Sequence, residues 1–321
     1  MSANGTSPHR VSPLSVHHPA DPGGNGARWR LAVAVLLIGA LIAFTGPQHM
    51  WRTLRTASPP WALAAAFLLV PWFLCGAVNV WLLLRRLAPV PFPMFVQVYA
   101  ASWTTSLVLP GQLGDATQVL LLRRYGVPVS VSSAAYATDK VLSLAFMLAV
   151  ASAGVVLYGP VEVKGSLVGF LAGGAFLGLA ILVLLLSLGV STRGPLARLG
   201  QALTAIPSSI AVFAREPQLL WRNLALTIVK WLLMIASYAC AFRALGFFVP
   251  VSAAATLPVM SSLVGYLPIS AGGLGTTEWT AVALFGKLDV PGPTVVTAFL
   301  FLRTSVIAIA ILMFGARRRE L

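Results

Sequence analysis

The chain has 321 residues, 58% of them hydrophobic and 9% charged, and a mean hydropathy of +0.87. A soluble domain carries roughly a quarter charged residues, so the composition excludes one and predicts an all-α polytopic membrane protein. Its apolar runs are continuous rather than alternating, which excludes a closed barrel.

The net charge of +14 does not point to nucleic acid. The arginines stand in short clusters beside apolar spans, where positive flanks orient membrane helices. Cys75 and Cys240 lie inside apolar spans and read as small core residues. His9, His17, His18 and His49 fall in the tail or a loop without metal-ligand spacing, so no metal, cofactor or histidine-based catalysis is expected.

Residues 1–28 are rich in Ser, Pro, Gly and His and predict a disordered cytoplasmic tail. A single transmembrane domain is expected over 29–316, with a short basic cytoplasmic end at 317–321. Its first span is about 30–46, ended by Gly46-Pro47, and its second about 61–84, stopped by Arg85-Arg86; Pro71 inside it predicts a kink. A motif follows, Leu109-Pro110-Gly111-Gln112-Leu113-Gly114-Asp115, between legs at about 93–109 and 114–124. The second leg is too short to cross a bilayer, so a re-entrant hairpin fits better than a crossing.

A third span, about 131–158, carries Asp139-Lys140, and a fourth covers about 166–190. Within 193–222, Leu196, Leu199, Leu203, Ile206, Ile210 and Phe213 recur at helical spacing. That segment reads as an amphipathic helix lying on the membrane or packed on the bundle. A fifth span, about 219–242, holds Lys230. The second motif is Leu267-Pro268-Ile269-Ser270-Ala271-Gly272-Gly273-Leu274-Gly275-Thr276-Thr277-Glu278, between legs at about 252–267 and 275–287. A sixth span, about 294–314, contains Arg303.

The two halves echo one another, with repeat units at about 61–159 and 219–315. Arg85-Arg86-Leu87 before Val90-Pro91 matches Arg243-Ala244-Leu245 before Val249-Pro250, and Asp139 and Arg303 fall at matching distances after Asp115 and Glu278. Six spans with two re-entrant hairpins put a nearly threefold excess of Lys and Arg on the cytoplasmic side. Eight full crossings leave them almost evenly split, so the positive-inside rule favours six. Three crossings then separate the hairpins, which enter from opposite faces as an inverted repeat.

An acid near the bilayer centre costs on the order of 3 kcal/mol, and glycine-rich backbone at that depth must be buried or line a watery cavity. Pro110, Gly111, Gly114 and Asp115 with Pro268, Gly272, Gly273, Gly275 and Glu278 therefore form the candidate substrate site, together with the buried charges Asp139, Lys140, Lys230 and Arg303. The helix starts at Gly114 and Gly275 suit a lipid phosphate. Asp115 and Glu278 would hold a head-group amine or a transported proton, or simply cap their helices. Expected ion pairs run across the repeats, Arg303 to Asp115 or Asp139 and Lys230 to Glu278. No Gly-Lys-Ser/Thr follows either glycine motif, and no Ser-His-Asp or Cys-His set lies in the membrane, so neither nucleotide binding nor hydrolysis is expected.

Leu109 through Asp115, Leu121-Leu122-Arg123-Arg124 with Gly126-Val127-Pro128, and Pro268 through Gly272-Gly273-Leu274-Gly275 to Glu278 resemble the transmembrane, flippase-like region of lysylphosphatidylglycerol synthetases and its stand-alone relatives. The likeness covers nearly everything from residue 30 onward. It implies movement of a phospholipid or lipid-linked head group between leaflets of the inner membrane, with both termini cytoplasmic. It implies no synthesis, since the family's soluble aminoacyl-transfer domain is not in this sequence. Gln112 stands where family members typically show arginine, and Asp139-Lys140 where Glu-Arg is usual, which bears on the identity of the head group. A proton- or sodium-coupled solute transporter, and a non-catalytic partner of a separate membrane lipid- or sugar-modifying enzyme, are the competing readings.

Overall fold

The computed structural model describes residues 35–36, 39–40, 43, 46–105, 113–159, 213, 215–267 and 269–315, with side chains left undescribed at 113–116. Within them the chain is helical: α1 (Pro47–Arg55), α2 (Pro59–Leu87), α3 (Phe92–Thr105), α4 (Leu113–Arg123), α5 (Val129–Tyr158), α6 (Pro217–Ala244), α7 (Val251–Gly265), α8 (Thr276–Phe285) and α9 (Gly292–Gly315), with a 3-10 turn at Gly286–Leu288. Helices α2, α5, α6 and α9 are long and apolar enough to cross a membrane. The chain is a multi-pass membrane protein. The predicted spans at about 30–46 and 166–190, and most of the amphipathic segment, fall outside the described residues apart from isolated positions.

The boundaries follow backbone chemistry. Pro lies in the first turn of α1, α2 and α6, where its missing N–H costs nothing. Pro128 and Pro250 sit at the N-caps of α5 and α7. Helix α2 continues through Pro71. Helix α1 was not foreseen: Gly46, at φ +83°, ends one segment and starts a short polar helix that packs against α9.

The most extensive helix contact joins α2 and α6, which run antiparallel. At one end the Ser58 N–H donates to the Ala244 carbonyl at 2.7 Å; at the other, Arg86 pairs with Glu216. Between the ends, Ser237 Oγ donates to the Ala65 carbonyl at 2.7 Å and Asn223 Nδ2 to the Asn79 carbonyl at 3.1 Å. Aligning Arg85 on Arg243 puts Ala65 opposite Asn223 and Asn79 opposite Ser237, so the two bonds join the same pair of positions with the helices exchanged. Polar bonds between helices in lipid contribute about 0.6 kcal/mol on average, up to roughly 2.

The remaining contacts alternate between halves. Helix α3 packs on α4 as α7 does on α8, and α5 crosses to α7 while α9 crosses to α3. Small residues permit the close approaches. A Cβ on Gly154 would stand 2.9 Å from Thr256 Cβ, and one on Gly76 would run into the Tyr99 hydroxyl. One apolar cluster, including Leu69, Phe242, Phe285 and Phe299, packs around α6–α9. A second, including Leu83, Leu84, Phe95 and Leu122, packs around α2–α5. A cavity lies between them.

Candidate functional site

The second glycine turn is built by backbone conformations that side chains disfavour. Gly272, Gly273 and Gly275 have φ of +56°, +69° and +83°. At Gly273 the steric argument is independent of φ: a Cβ there would lie 2.9 Å from both the Cα and the carbonyl oxygen of Gly265. The turn thus folds back onto the end of α7, and α8 begins immediately after it.

Glu278, in the first turn of α8, is fully buried. Its Oε2 accepts the Gly275 N–H at 2.7 Å, the carboxylate half of a capping box. Its Oε1 faces Arg303 Nη2 of α9 at 3.0 Å, an ion pair whose geometry falls short of a hydrogen bond. Arg303 Nη1 donates to the Gly272 carbonyl at 2.9 Å. One guanidinium therefore holds both the turn and the acid that caps the next helix.

This arrangement corrects three expectations. Arg303 pairs with Glu278 of its own half and not with Asp139, while the Asp115 side chain lies outside the described residues. The partners of Glu278 are Arg303 and the Gly275 N–H, in place of the expected Lys230. The Gly275 N–H, read as a phosphate donor, is taken by the protein's own carboxylate. A buried acid and a base at i and i+25 have no signature of mutual contact in sequence; only the return of α9 past the turn brings them together.

Asp139 lies elsewhere, on α5, 5% exposed. Its Oδ1 accepts from Asn223 Nδ2 at 3.2 Å, and the same amide donates to the Asn79 carbonyl. Asn79 Nδ2 in turn donates to Thr227 Oγ1 at 2.9 Å. Sequence reasoning passed over Asn79, Asn223 and Thr227. The available signal was a neutral amide inside an apolar span, expensive unless it is partnered.

Both centres open onto one cavity of about 250 Å³. Gly272, Leu274 and Thr277 line it from the turn, Asp139, Lys140 and Ser143 from α5, Lys230 from α6, Arg303 from α9 and Gln118 from α4. Aromatic rings complete the wall, among them Trp72, Trp103, Tyr136 and Tyr266. Lys140 Nζ lies 5.5 Å from the Tyr136 ring centroid and 6.0 Å from that of Tyr266, which keeps its charge against a π face. Glu278 does not line the cavity. Among the described lining residues, three cations face a single carboxylate.

Of the first motif, Gly114 and Asp115 lie in the first turn of α4, and Pro110 and Gly111 fall outside the described residues, as does Pro268. Among the described residues, no group of His, Cys, Asp or Glu is arranged to hold a metal.

The family model for the lysylphosphatidylglycerol synthase TM region matches residues 29–314. The chain belongs to that family. The match spans all nine helices apart from the last residue of α9, and it includes both glycine motifs and every cavity residue named above. No curated protein and no solved structure matches the chain.

Proposed function

We propose that this family member is a flippase-like lipid transporter whose cavity receives the anionic head group of a phospholipid or lipid-linked substrate on its way between leaflets. The observation that carries the reading is the cavity itself. Both halves of the chain line it, Lys140, Lys230 and Arg303 bring cationic side chains to its wall, and aromatic rings give it apolar walls. A phosphodiester with attached acyl chains needs that combination, because the charge must be matched where water is scarce.

The architecture proposed for it is six spans with two re-entrant hairpins in an inverted repeat, in the inner membrane, with cytoplasmic termini. The antiparallel pairing of α2 with α6, and the alternate packing of α5 on α7 and α9 on α3, support this symmetry. So do the legs α3–α4 and α7–α8, of which the second of each pair is too short to span. In such a protein the site stays near the midplane while the halves rock around it. The chain's part is movement and not chemistry; a separate lipid-modifying enzyme would supply the substrate.

The phosphate is assigned to the face bearing Lys230 and Arg303, since the start of α8 is already filled by Glu278. The test is translocation of fluorescent phosphatidylglycerol, and of an aminoacylated analogue, in reconstituted vesicles. Wild type should move phosphatidylglycerol, and Lys230→Gln should slow it at least tenfold with the thermal unfolding midpoint retained. Wild-type rates equal to those of protein-free vesicles for both lipids would refute the proposal.

A further inference from the structure

We propose that phospholipid enters the cavity sideways, between α5 and α6: an acyl chain lies in an apolar groove outside that seam, and the stacked rings of Phe146 and Trp231 part to admit the head group. This rests on the head-group reading above and adds a site for the chain.

The seam is a lightly packed side of the bundle. Helix α6 packs extensively on α2, and α5 packs on α2, α4 and α7 more than on α6. Across the seam Asn223 donates to Asp139 at 3.2 Å. Two turns further along, the Trp231 ring stacks on Phe146, with centroids 6.2 Å apart and planes 24° from parallel. On the exposed side of the same helix pair lies a groove of about 280 Å³, lined by Leu142 of α5 and by Pro217, Leu220, Trp221 and Leu224 of α6. The α6 residues recur at i, i+3, i+4 and i+7, which is one stripe of a helix, and the stripe continues through Ile228 to Trp231. Trp221 is 68% exposed and Ile228 41%. Ser143 and Trp231 line the cavity, the first beside Leu142 in sequence and the second two turns beyond Leu224. Trp231 thus stands between groove and cavity.

Exposed apolar side chains are ordinary on a membrane helix, but the end of this stripe is not. The Trp231 Nε1–H is buried with no acceptor among the described residues, and an indole nitrogen only donates. A buried donor left unmade is costly, so the closed ring pair leaves a demand that an entering group can meet. A glycerophospholipid carries its ester carbonyls, which are acceptors, between head group and chains. With the phosphate in the cavity and a chain in the groove, such a carbonyl falls at Trp231, and the N–H reaches it as the ring tilts off Phe146. Ring pairs of this kind are weak enough to part and re-form, and Trp suits a place that is apolar at one end and polar at the other. With α6 running outward from Pro217, as in the topology proposed above, the groove opens to the inner leaflet. A carrier of small solutes has no use for such an entrance.

The experiment follows fluorescent phosphatidylglycerol across vesicles holding the full chain. It also measures binding of glycerophosphoglycerol, the deacylated head group, to the purified full chain. Leu224→Trp fills the groove from α6 and Leu142→Trp fills it from α5, so that failure of one variant to fold leaves the other. Leu232→Trp makes the same change at an exposed position of α6 outside the groove. Trp231→Phe keeps a ring on Phe146 and removes the N–H. The groove-filling variants should slow translocation on the order of tenfold, the effect of about two methylenes kept out of an apolar site, and should bind the deacylated head group as wild type does. Trp231→Phe should slow translocation roughly threefold to tenfold, the worth of one neutral hydrogen bond, and Leu232→Trp should leave it unchanged. Wild-type rates in both groove-filling variants, equal slowing by Leu232→Trp, or loss of head-group binding along with translocation would overturn the entrance while leaving the head-group site standing. Wild-type protein that neither moves phosphatidylglycerol nor binds its head group would overturn the head-group reading and the entrance with it.

Discussion

Replacing Glu278 by Gln separates two jobs that one side chain performs. Gln keeps a carbonyl oxygen for the Gly275 N–H, now received at 2.7 Å, and Gln serves in capping boxes as Glu does. What disappears is the charge facing Arg303 Nη2 at 3.0 Å. Breaking a buried pair by removing one partner costs about 3–5 kcal/mol, most of it the cost of the charge left behind. Glu278 is fully buried but the Arg303 side chain is 24% exposed, so water recovers part of that cost and about 2–3 kcal/mol is expected. Arg303→Gln should cost more, about 3–5 kcal/mol, because it strands a carboxylate with no exposure at all and removes the donor to the Gly272 carbonyl. The double variant strands neither charge and should be less destabilised than the sum by at least about 1.5 kcal/mol. Reversible unfolding of the purified protein in mixed micelles measures all four corners of the cycle. Additive single and double effects would refute the claim that this ion pair holds the glycine turn.

Gly273→Ala, at positive φ and 2.9 Å from α7 backbone, should destabilise by about 2–4 kcal/mol from strain plus overpacking. Gly126→Ala, equally left-handed but with open space around it, should cost only about 1–2 kcal/mol; equal losses in thermal unfolding would show that the Gly265 contact is unimportant. Gly76→Ala should be destabilising because its methyl meets the Tyr99 hydroxyl, and Tyr99→Phe should restore much of the loss; failure of that rescue would contradict the packing of α2 against α3. Asn223→Ala removes the donor to Asp139 and is expected to cost about 1–3 kcal/mol, read from the same unfolding curves. The Arg86–Glu216 pair is solvent-exposed, so exchanging the two residues should leave stability unchanged within error at high salt.

Membrane residence and the four long apolar helices α2, α5, α6 and α9, with their ends to within a few residues, were legible in the amino-acid order. Each rests on a local rule. Apolar length sets a span, and Pro and Gly punctuate it. The shorter helices flanking the glycine motifs were located to within a few residues for the same reason, since α3 ends at Thr105 and α7 at Gly265, shortly before Leu109 and Leu267.

Partner choice was not legible. Asp115 and Glu278, Asp139 and Arg303 occupy matching positions in the two halves, and nothing in a one-dimensional pattern says which acid meets which base. The tertiary structure decides it through the path of α9, which brings Arg303 past the Gly272 carbonyl and onto Glu278. It likewise brings Asn79 and Asn223, distant in sequence and neutral in charge, against Asp139 at the antiparallel crossing of α2 and α6. The sequence alone determined that charge would be buried in this protein and roughly where. Which charges are spent on holding the turn and which still face the cavity depends on distances of a few ångströms between helices, where the energy of an ion pair is set.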